Sequence, residues 1–264
     1  MTDNESPNGI SRRRLLTGAV AIAAAAPLGG CDSLADNEQL GDVVQRIEQT
    51  LSMRVQRLLL GRGALAREFD VKDLSPNFKV NGTDKPEGEE YQRLVDDGFA
   101  DWKLAVGGKV RTPLNLSLAD LKKLPRRTQI TRHDCVEGWS AIGQWTGVPL
   151  SRVLDLAGPA SDARFVVFRC ADQYEQASDG NGQYYESIDL IDAYHPQTIL
   201  AYGMNGKDLT VGHGAPLRLR VERQLGYKQA KYVMRIELVD SFKTIGRGHG
   251  GFWPDRGYEW YAGV

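Results

Sequence analysis

Apolar residues along this chain recur first with a helical period and then with a period of two. Val43, Ile47, Leu51, Val55, Leu58 and Leu59 fall near helical spacing. They predict an amphipathic helix over residues 42–60 that packs through this stripe and stops at Gly61. Residues 75–92, rich in Pro, Gly and Asn, predict a loop. Beyond it, Trp102, Leu104 and Val106 alternate with Lys103 and Ala105, the pattern of a strand. Ser117 followed by Asp120 makes a capping box that opens a short helix before Pro125. Residues 151–156 predict a second short helix closed by Gly158, and residues 164–170 a buried strand. Further on, Leu217, Leu219 and Val221 alternate with Arg218, Arg220 and Glu222, and Tyr232, Met234, Ile236 and Leu238 alternate with Val233, Arg235 and Glu237. Both runs predict half-buried strands. There is no internal repeat and no regular βα alternation, so the expected class is α+β, with mixed β-sheets and short helices.

Composition narrows the function classes. A chain of 264 residues with 41% hydrophobic and 25% charged content can build one substantial core. Its formal net charge of −1 gives no electrostatic reason to expect a nucleic acid or an anionic membrane as partner, so any anion site must be local. At the N-terminus, Ser11, Arg12, Arg13, Arg14, Leu15 and Leu16 precede an Ala-rich stretch from Ala19 to Ala26, which matches a twin-arginine export signal. That apolar run is shorter than the ~20 residues a membrane span needs. Leu28, Gly29, Gly30 and Cys31 resemble a lipobox, which implies a periplasmic protein tethered to a membrane through lipidated Cys31. The alternative is an ordinary cleavage site with Cys31 as a small residue nearby.

Two segments carry candidate chemistry. Residues 131–150, TRHDCVEGWSAIGQWTGVPL, place Cys135 in a loop-like run of Gly and Trp. Only Cys31, Cys135 and Cys170 exist, and an oxidising compartment would permit a Cys135 to Cys170 disulfide. The alternative is a metal ligand: His-x-Cys alone is no zinc signature, but a soft thiolate suits a metal that already carries sulfur ligands. In residues 212–231, GHGAPLRLRVERQLGYKQAK, Gly212 and Gly214 allow close backbone approach. Arg218 offers a planar fork, and Lys228 and Lys231 offer point charges, which together could cradle an anion. The competing reading is a solvated strand face.

Seven short strings tie these segments together: Asn77-Phe78, Gly82 to Lys85, Cys135 to Ser140, Trp145 to Leu150, His195-Pro196, Asn205 to Leu209 and Gly214 to Leu219. Through them the chain resembles the sulfite-oxidase family of molybdenum enzymes over residues 76 to about 242, nearest its periplasmic methionine-sulfoxide reductase branch. The resemblance implies a sulfite-oxidase-type molybdopterin-binding domain over residues 76–264, after a signal at 1–31 and a linker with helix at 32–75. It implies molybdenum with molybdopterin as cofactor and Cys135 as the metal ligand. Asn77 and Glu137 would be polar groups of the metal pocket, with Glu137 relaying protons. Cys170, His213, Arg218, Gln229, Ala230 and Lys231 would contact the pterin or its phosphate, with Lys228 adjacent. Three positions depart from the family: Cys170 replaces a threonine, and Lys79 and Val80 replace a Tyr-Glu pair. The C-terminal run Gly250 to Val264 is also unlike the reductase. It places Trp253, Arg256, Tyr258, Trp260 and Tyr261 either around a pocket or in a packed flap.

The activity implied is two-electron oxygen-atom transfer, with reduction of a small sulfoxide-type molecule ahead of sulfite oxidation. No Cys-x-x-Cys-His haem site is present, so electrons would come from a partner, by family a membrane cytochrome. A lipid-anchored binding protein that has lost the metal is the non-enzymatic alternative. A hydrolase ranks last, because His133, His195, His213 and His249 lie in no recognisable nucleophile motif.

Overall fold

The computed structural model describes residues 51, 53–59, 61–175 and 182–264. The twin-arginine motif, Cys31 and the first half of the 42–60 helix lie outside the described residues. Leu51–Val264 forms one compact unit.

Among the described residues, two five-stranded sheets carry the fold. The first runs in the order β2 (Leu114–Ser117), β1 (Lys103–Gly108), β10 (Val233–Val239), β5 (Phe165–Gln173), β6 (Gln183–Asp189). It is mixed, because β1 lies parallel to β10 while its other pairs are antiparallel. The second contains β3 (Arg127–Cys135), β4 (Trp139–Pro149), β7 (Ile199–Met204) and β8 (Lys207–Asp208) in that order, and β9 (Arg218–Arg220) also pairs with β7. All its pairs are antiparallel. Every residue of β7 is buried, as expected of a strand covered on both faces. Between the sheets sits an aliphatic core that includes Leu104, Val148, Val166, Phe168, Leu219 and Ile236. A smaller cluster of Phe78, Trp145, Ile199 and Ala201 underlies the β3–β4 hairpin.

Helices α1 (Glu89–Asp96), α2 (Leu118–Lys123), α3 (Leu150–Ala157) and α4 (Leu190–Ala193) are short connectors. The capping box holds as the sequence predicts: Ser117 Oγ accepts from Asp120 N at 3.2 Å, and Ser117 N donates to the Asp120 carboxylate at 3.2 Å. α3 closes on Gly158 at φ 65°. Among the described residues, no helix is long and apolar enough to cross a membrane.

Four expectations change. The loop at 75–92 gives way to α1 at Glu89, because Gly88 provides an extended N-cap, two acids occupy the first turn, and buried Tyr91 anchors the helix to Ala215 O at 2.5 Å. Residues 53–59 are helical as predicted, but Leu51, Val55, Leu58 and Leu59 are exposed, so these four positions do not pack. Arg57 anchors that helix through Asp189 and Asp192. Residues 64–75, expected as linker, are tied to the second sheet: Phe69 N donates to Ile130 O at 2.9 Å and Ala66 N to Gln197 Oε1 at 2.8 Å. Finally, β9 is buried at all three residues, arginines included, where alternation predicted a half-exposed strand.

Candidate active site

The cysteine segment is a hairpin and not a loop. Cys135 ends β3 directly opposite Trp139, and residues 136–138 make the turn, with Gly138 at φ 83° and its N–H on Cys135 O at 3.1 Å. Trp139 Nε1 donates to Glu137 Oε2 at 2.9 Å, which fixes the carboxylate beside the cysteine. Cys135 and Glu137 open onto a cavity of about 340 Å³ whose wall also includes Asn81, Asp172, Gln229 and Lys231. Burial pushes the Cys135 thiol pKa up, a shift that a bound cation would reverse. Cys135 and Cys170 are both free thiols, so the disulfide does not form. Cys170 is fully buried in β5 and does not line the cavity.

Beside this cavity, β9 presents two buried arginines to one indole: the guanidinium carbons of Arg218 and Arg220 lie 4.8 and 4.3 Å from the Trp145 ring centroid. Their charges are treated very differently. Arg220 donates to both Glu222 oxygens at 2.9 and 2.6 Å and to His133 Nδ1 at 3.0 Å. Arg218, at 0% exposure, donates to His213 O at 3.0 Å, while its Nε and Nη2 have no partner among the described residues. Burial, and then repulsion from Arg220, pulls its pKa down to about 9. Lys231 has no ion pair among the described residues: its ammonium donates to the carbonyls of Thr83 and Gly212, and burial with nearby Arg218 lowers it to about 7 against the attraction of Asp172. An uncompensated buried cation is costly, and here two lie side by side. Gly214, at φ 101°, lets them close up, since a Cβ there would sit 3.0 Å from Lys231 Cβ and 3.2 Å from Arg218 Cβ.

Lys228 belongs to a different arrangement. It is fully buried against Glu186, whose carboxyl burial raises to about 7. Its charge is therefore compensated within the fold, and it does not line the cavity. The solvated-face reading fails for Arg218, Lys228 and Lys231, all of which are buried.

Of the residues singled out from the sequence, Cys135, Glu137, Gln229 and Lys231 share the cavity. Arg218 and His213 are joined behind Lys231 by their hydrogen bond. Ala230 is buried, with its carbonyl accepting from Leu219 N at 2.8 Å. Asn77 is exposed and off the cavity, whereas Asn81 lines it. The C-terminal run divides between its two readings. Trp253 and Tyr258 wall the cavity, while Arg256 packs on Phe252, Trp260 bonds Ser187 Oγ at 2.8 Å and Tyr261 packs under Arg57. Sequence reasoning missed Asp172, Thr83 and Tyr174 in the wall. It also missed His133, fully buried beneath Gly226, where a Cβ would meet His133 Nε2 at 2.6 Å. For Asp172 a signal existed, since strand alternation puts it on the face of Cys170.

These residues suit a pterin-borne metal. Among the described residues, no three His, Cys, Asp or Glu side chains gather into a metal cage, so a metal at Cys135 must bring its other ligands with it. The uncompensated cations of Arg218 and Lys231 answer the phosphate such a cofactor carries.

Residues 92–244 match the oxidoreductase molybdopterin binding domain. A protein of Azospira oryzae, provisionally named protein-methionine-sulfoxide reductase subunit YedZ1, is 34% identical over 253 residues, covering 96% of this chain and 88% of its own. The protein-methionine-sulfoxide reductase catalytic subunit MsrP of Xanthomonas axonopodis pv. citri is 37% identical over 182 residues. That match covers 67% of this chain, which spans just over half, 56%, of the subunit. Among solved structures, the sulfane dehydrogenase SoxCD of Paracoccus pantotrophus is similar at 26% identity and a TM-score of 0.47, over 53% of this chain and 39% of that one. With more than half its length matched by the family's domain and a relative that aligns almost end to end, this chain belongs to the oxidoreductase molybdopterin binding domain family.

Proposed function

We propose that the chain is a molybdenum-dependent reductase that removes the oxygen atom from a sulfoxide-type substrate, with methionine sulfoxide the first to test because the relatives are named for it. The bound molybdenum cofactor would supply the two-electron exchange and the place of oxygen transfer. The chain's own residues do the rest. Cys135 offers the thiolate ligand from the rigid end of β3. Arg218 and Lys231 hold the phosphate, assisted by Gln229, the Ala230 backbone and His213, which sets the Arg218 guanidinium through its carbonyl. Glu137, fixed by Trp139, moves protons at the cavity, and Asn81 takes the polar lining role expected of Asn77. Trp253 and Tyr258 form the substrate side.

One observation carries this reading: a fully buried arginine, with two guanidinium nitrogens unpartnered among the described residues, stands beside buried Lys231, which lines the cavity that holds Cys135. The rest concerns location. The twin-arginine signal would export the folded protein to the periplasm, lipidated Cys31 would tether it, and a membrane cytochrome would deliver electrons.

The test is molybdenum content and reduction of methionine sulfoxide, with a reduced dye as donor, in wild type and Cys135→Ser purified after export. A molybdenum-loaded wild type that reduces the sulfoxide, with a Cys135→Ser variant that does not, supports the reading. Oxidation of sulfite in place of sulfoxide reduction would make it a sulfite dehydrogenase. Wild type without molybdenum would make it a binding protein.

A further inference from the structure

A second carboxyl group faces the cavity. Asp172 follows Cys170 by two residues on the same face of β5, 2% exposed, and its side chain lines the cavity together with Cys135 and Glu137. One carboxyl oxygen accepts from Thr83 Oγ1 at 2.9 Å. The other has no partner among the described residues. The loop that carries Thr83 is itself fastened, because Thr83 O accepts from Lys231 Nζ and from Tyr232 Oη at 3.0 Å. Thr83 therefore grips one oxygen of a buried acid that lines the cavity and leaves the other oxygen buried without a partner among the described residues.

We propose that Asp172 is a proton-exchanging group of the reaction, giving a proton to the oxygen that leaves the sulfoxide and recovering it from solvent. This rests on the sulfoxide-reductase reading of the site. The step balances as one sulfoxide, two protons and two electrons giving one thioether and one water. The S–O bond breaks and two O–H bonds form, sulfur is reduced by two electrons that originate from a haem-bearing carrier, and Asp172 supplies one of the two protons. The other comes by way of Glu137 or water.

The surroundings suit that cycle. Burial raises Asp172 to about 6, so both of its forms are populated near neutral pH. Lys231 and the Thr83 hydroxyl steady the carboxylate left after proton transfer. The other titratable groups facing it are Tyr91 from α1, Cys170 from β5, Tyr174 just after that strand, Tyr184 from β6, and Tyr232. Burial raises all five away from neutral pH, which leaves Lys231, at about 7, as the neighbour that titrates alongside.

Asp172→Asn and Thr83→Val test the assignment through three readouts: molybdenum content, the pH profile of kcat/KM for methionine sulfoxide, and the pH dependence of Tm. Asp172→Asn should keep its molybdenum, lose turnover by roughly 10²-fold, and lose the limb of the profile near pH 6. Thr83→Val, which removes a hydrogen bond to the carboxylate, should move that limb to higher pH. An acid raised from about 3.9 when unfolded to about 6 when folded binds its proton more tightly in the folded state. Its protonated form adds stability that is complete below about pH 4 and lost as pH rises through about 6. The Tm of Asp172→Asn should therefore exceed that of wild type at neutral pH, with the difference closing toward about pH 4. Loss of molybdenum in Asp172→Asn, an unchanged profile, or a Tm difference independent of pH would each overturn the assignment. A wild type that does not reduce sulfoxide overturns the functional reading itself, whereas an active wild type matched by Asp172→Asn overturns only the role of Asp172.

Discussion

Arg218 and Arg220 stand two residues apart on one strand, stacked on the same indole, yet they should respond to mutation in opposite ways. Removing Arg220 strips Glu222 and His133 of their buried partner, so Arg220→Ala should cost about 3–5 kcal/mol in denaturant unfolding. Arg218 has no carboxylate to abandon. In cofactor-free protein Arg218→Met should be neutral or stabilising, since it replaces an uncompensated buried charge with apolar volume. In loaded protein the same position should matter for binding, with Arg218→Ala weakening cofactor retention by about 1.5–3 kcal/mol. Arg218→Lys should restore this only in part, because an ammonium lacks the planar fork. Equal destabilisation by the two alanine variants in cofactor-free protein would contradict the distinction. The charge at Arg218 was legible in the sequence, but its burial was not. A strand that reads Arg-Leu-Arg looks half-solvated until Glu222 is seen to neutralise one arginine inside the fold and His133 to accept its hydrogen bond. Asp172 was passed over by the same rule, which assigns acids to the solvent face, although alternation from Cys170 marked it as inward.

At the scale of elements, Cys135 is held by a hairpin that packs close against a glycine in the opposite wall. Gly226 lies where a Cβ would come within 2.6 Å of His133 Nε2 and 3.1 Å of Asp134 O. Gly226→Ala should push the two walls apart, lower stability by about 1–3 kcal/mol, and reduce molybdenum occupancy. Thermal melts with metal analysis check both effects, and an unchanged occupancy would show that this spacing does not set the site. Elements with strong local codes were legible: the Ser117 box, the Gly158 stop and the alternation in β1 appear where the pattern puts them, and that of β10 holds from Arg235 onward, past an irregularity that buries Val233. The hairpin was not, because glycines at 138, 143 and 147 make its sequence read as a loop. Phe78 lies against position 143, and Gly147 lets the backbone of β7 approach β4. Helix α1 was masked by the Pro- and Gly-rich run before it, although Glu89 and Glu90 mark its first turn.

For the molecule as a whole, the C-terminal segment closes one side of the site. Asp255 gathers it by accepting from Tyr185 Oη at 2.6 Å and from the backbone N–H groups of Arg247 and His249 at 2.9 Å each. Gly251 lies against the buried Glu186–Lys228 pair. Truncation after Ile245 should open the cavity, expose that pair to water and broaden the range of sulfoxides accepted, which a substrate panel would show. Retained selectivity would return Trp253 and Tyr258 to a packing role. The location proposed for the protein has its own test. Arg12→Lys with Arg13→Lys should leave folded protein in the cytoplasm, and Cys31→Ala should release exported protein from the membrane fraction. Continued membrane association of Cys31→Ala would point instead to the exposed apolar residues of 51–59 as the tether. The central claim, that Cys135 binds molybdenum brought by a pterin whose phosphate Arg218 and Lys231 hold, is met most directly by X-ray absorption at the molybdenum edge in wild type and Cys135→Ser. The account predicts bound molybdenum in both and one sulfur ligand fewer in the variant; identical sulfur coordination in the two proteins would contradict it.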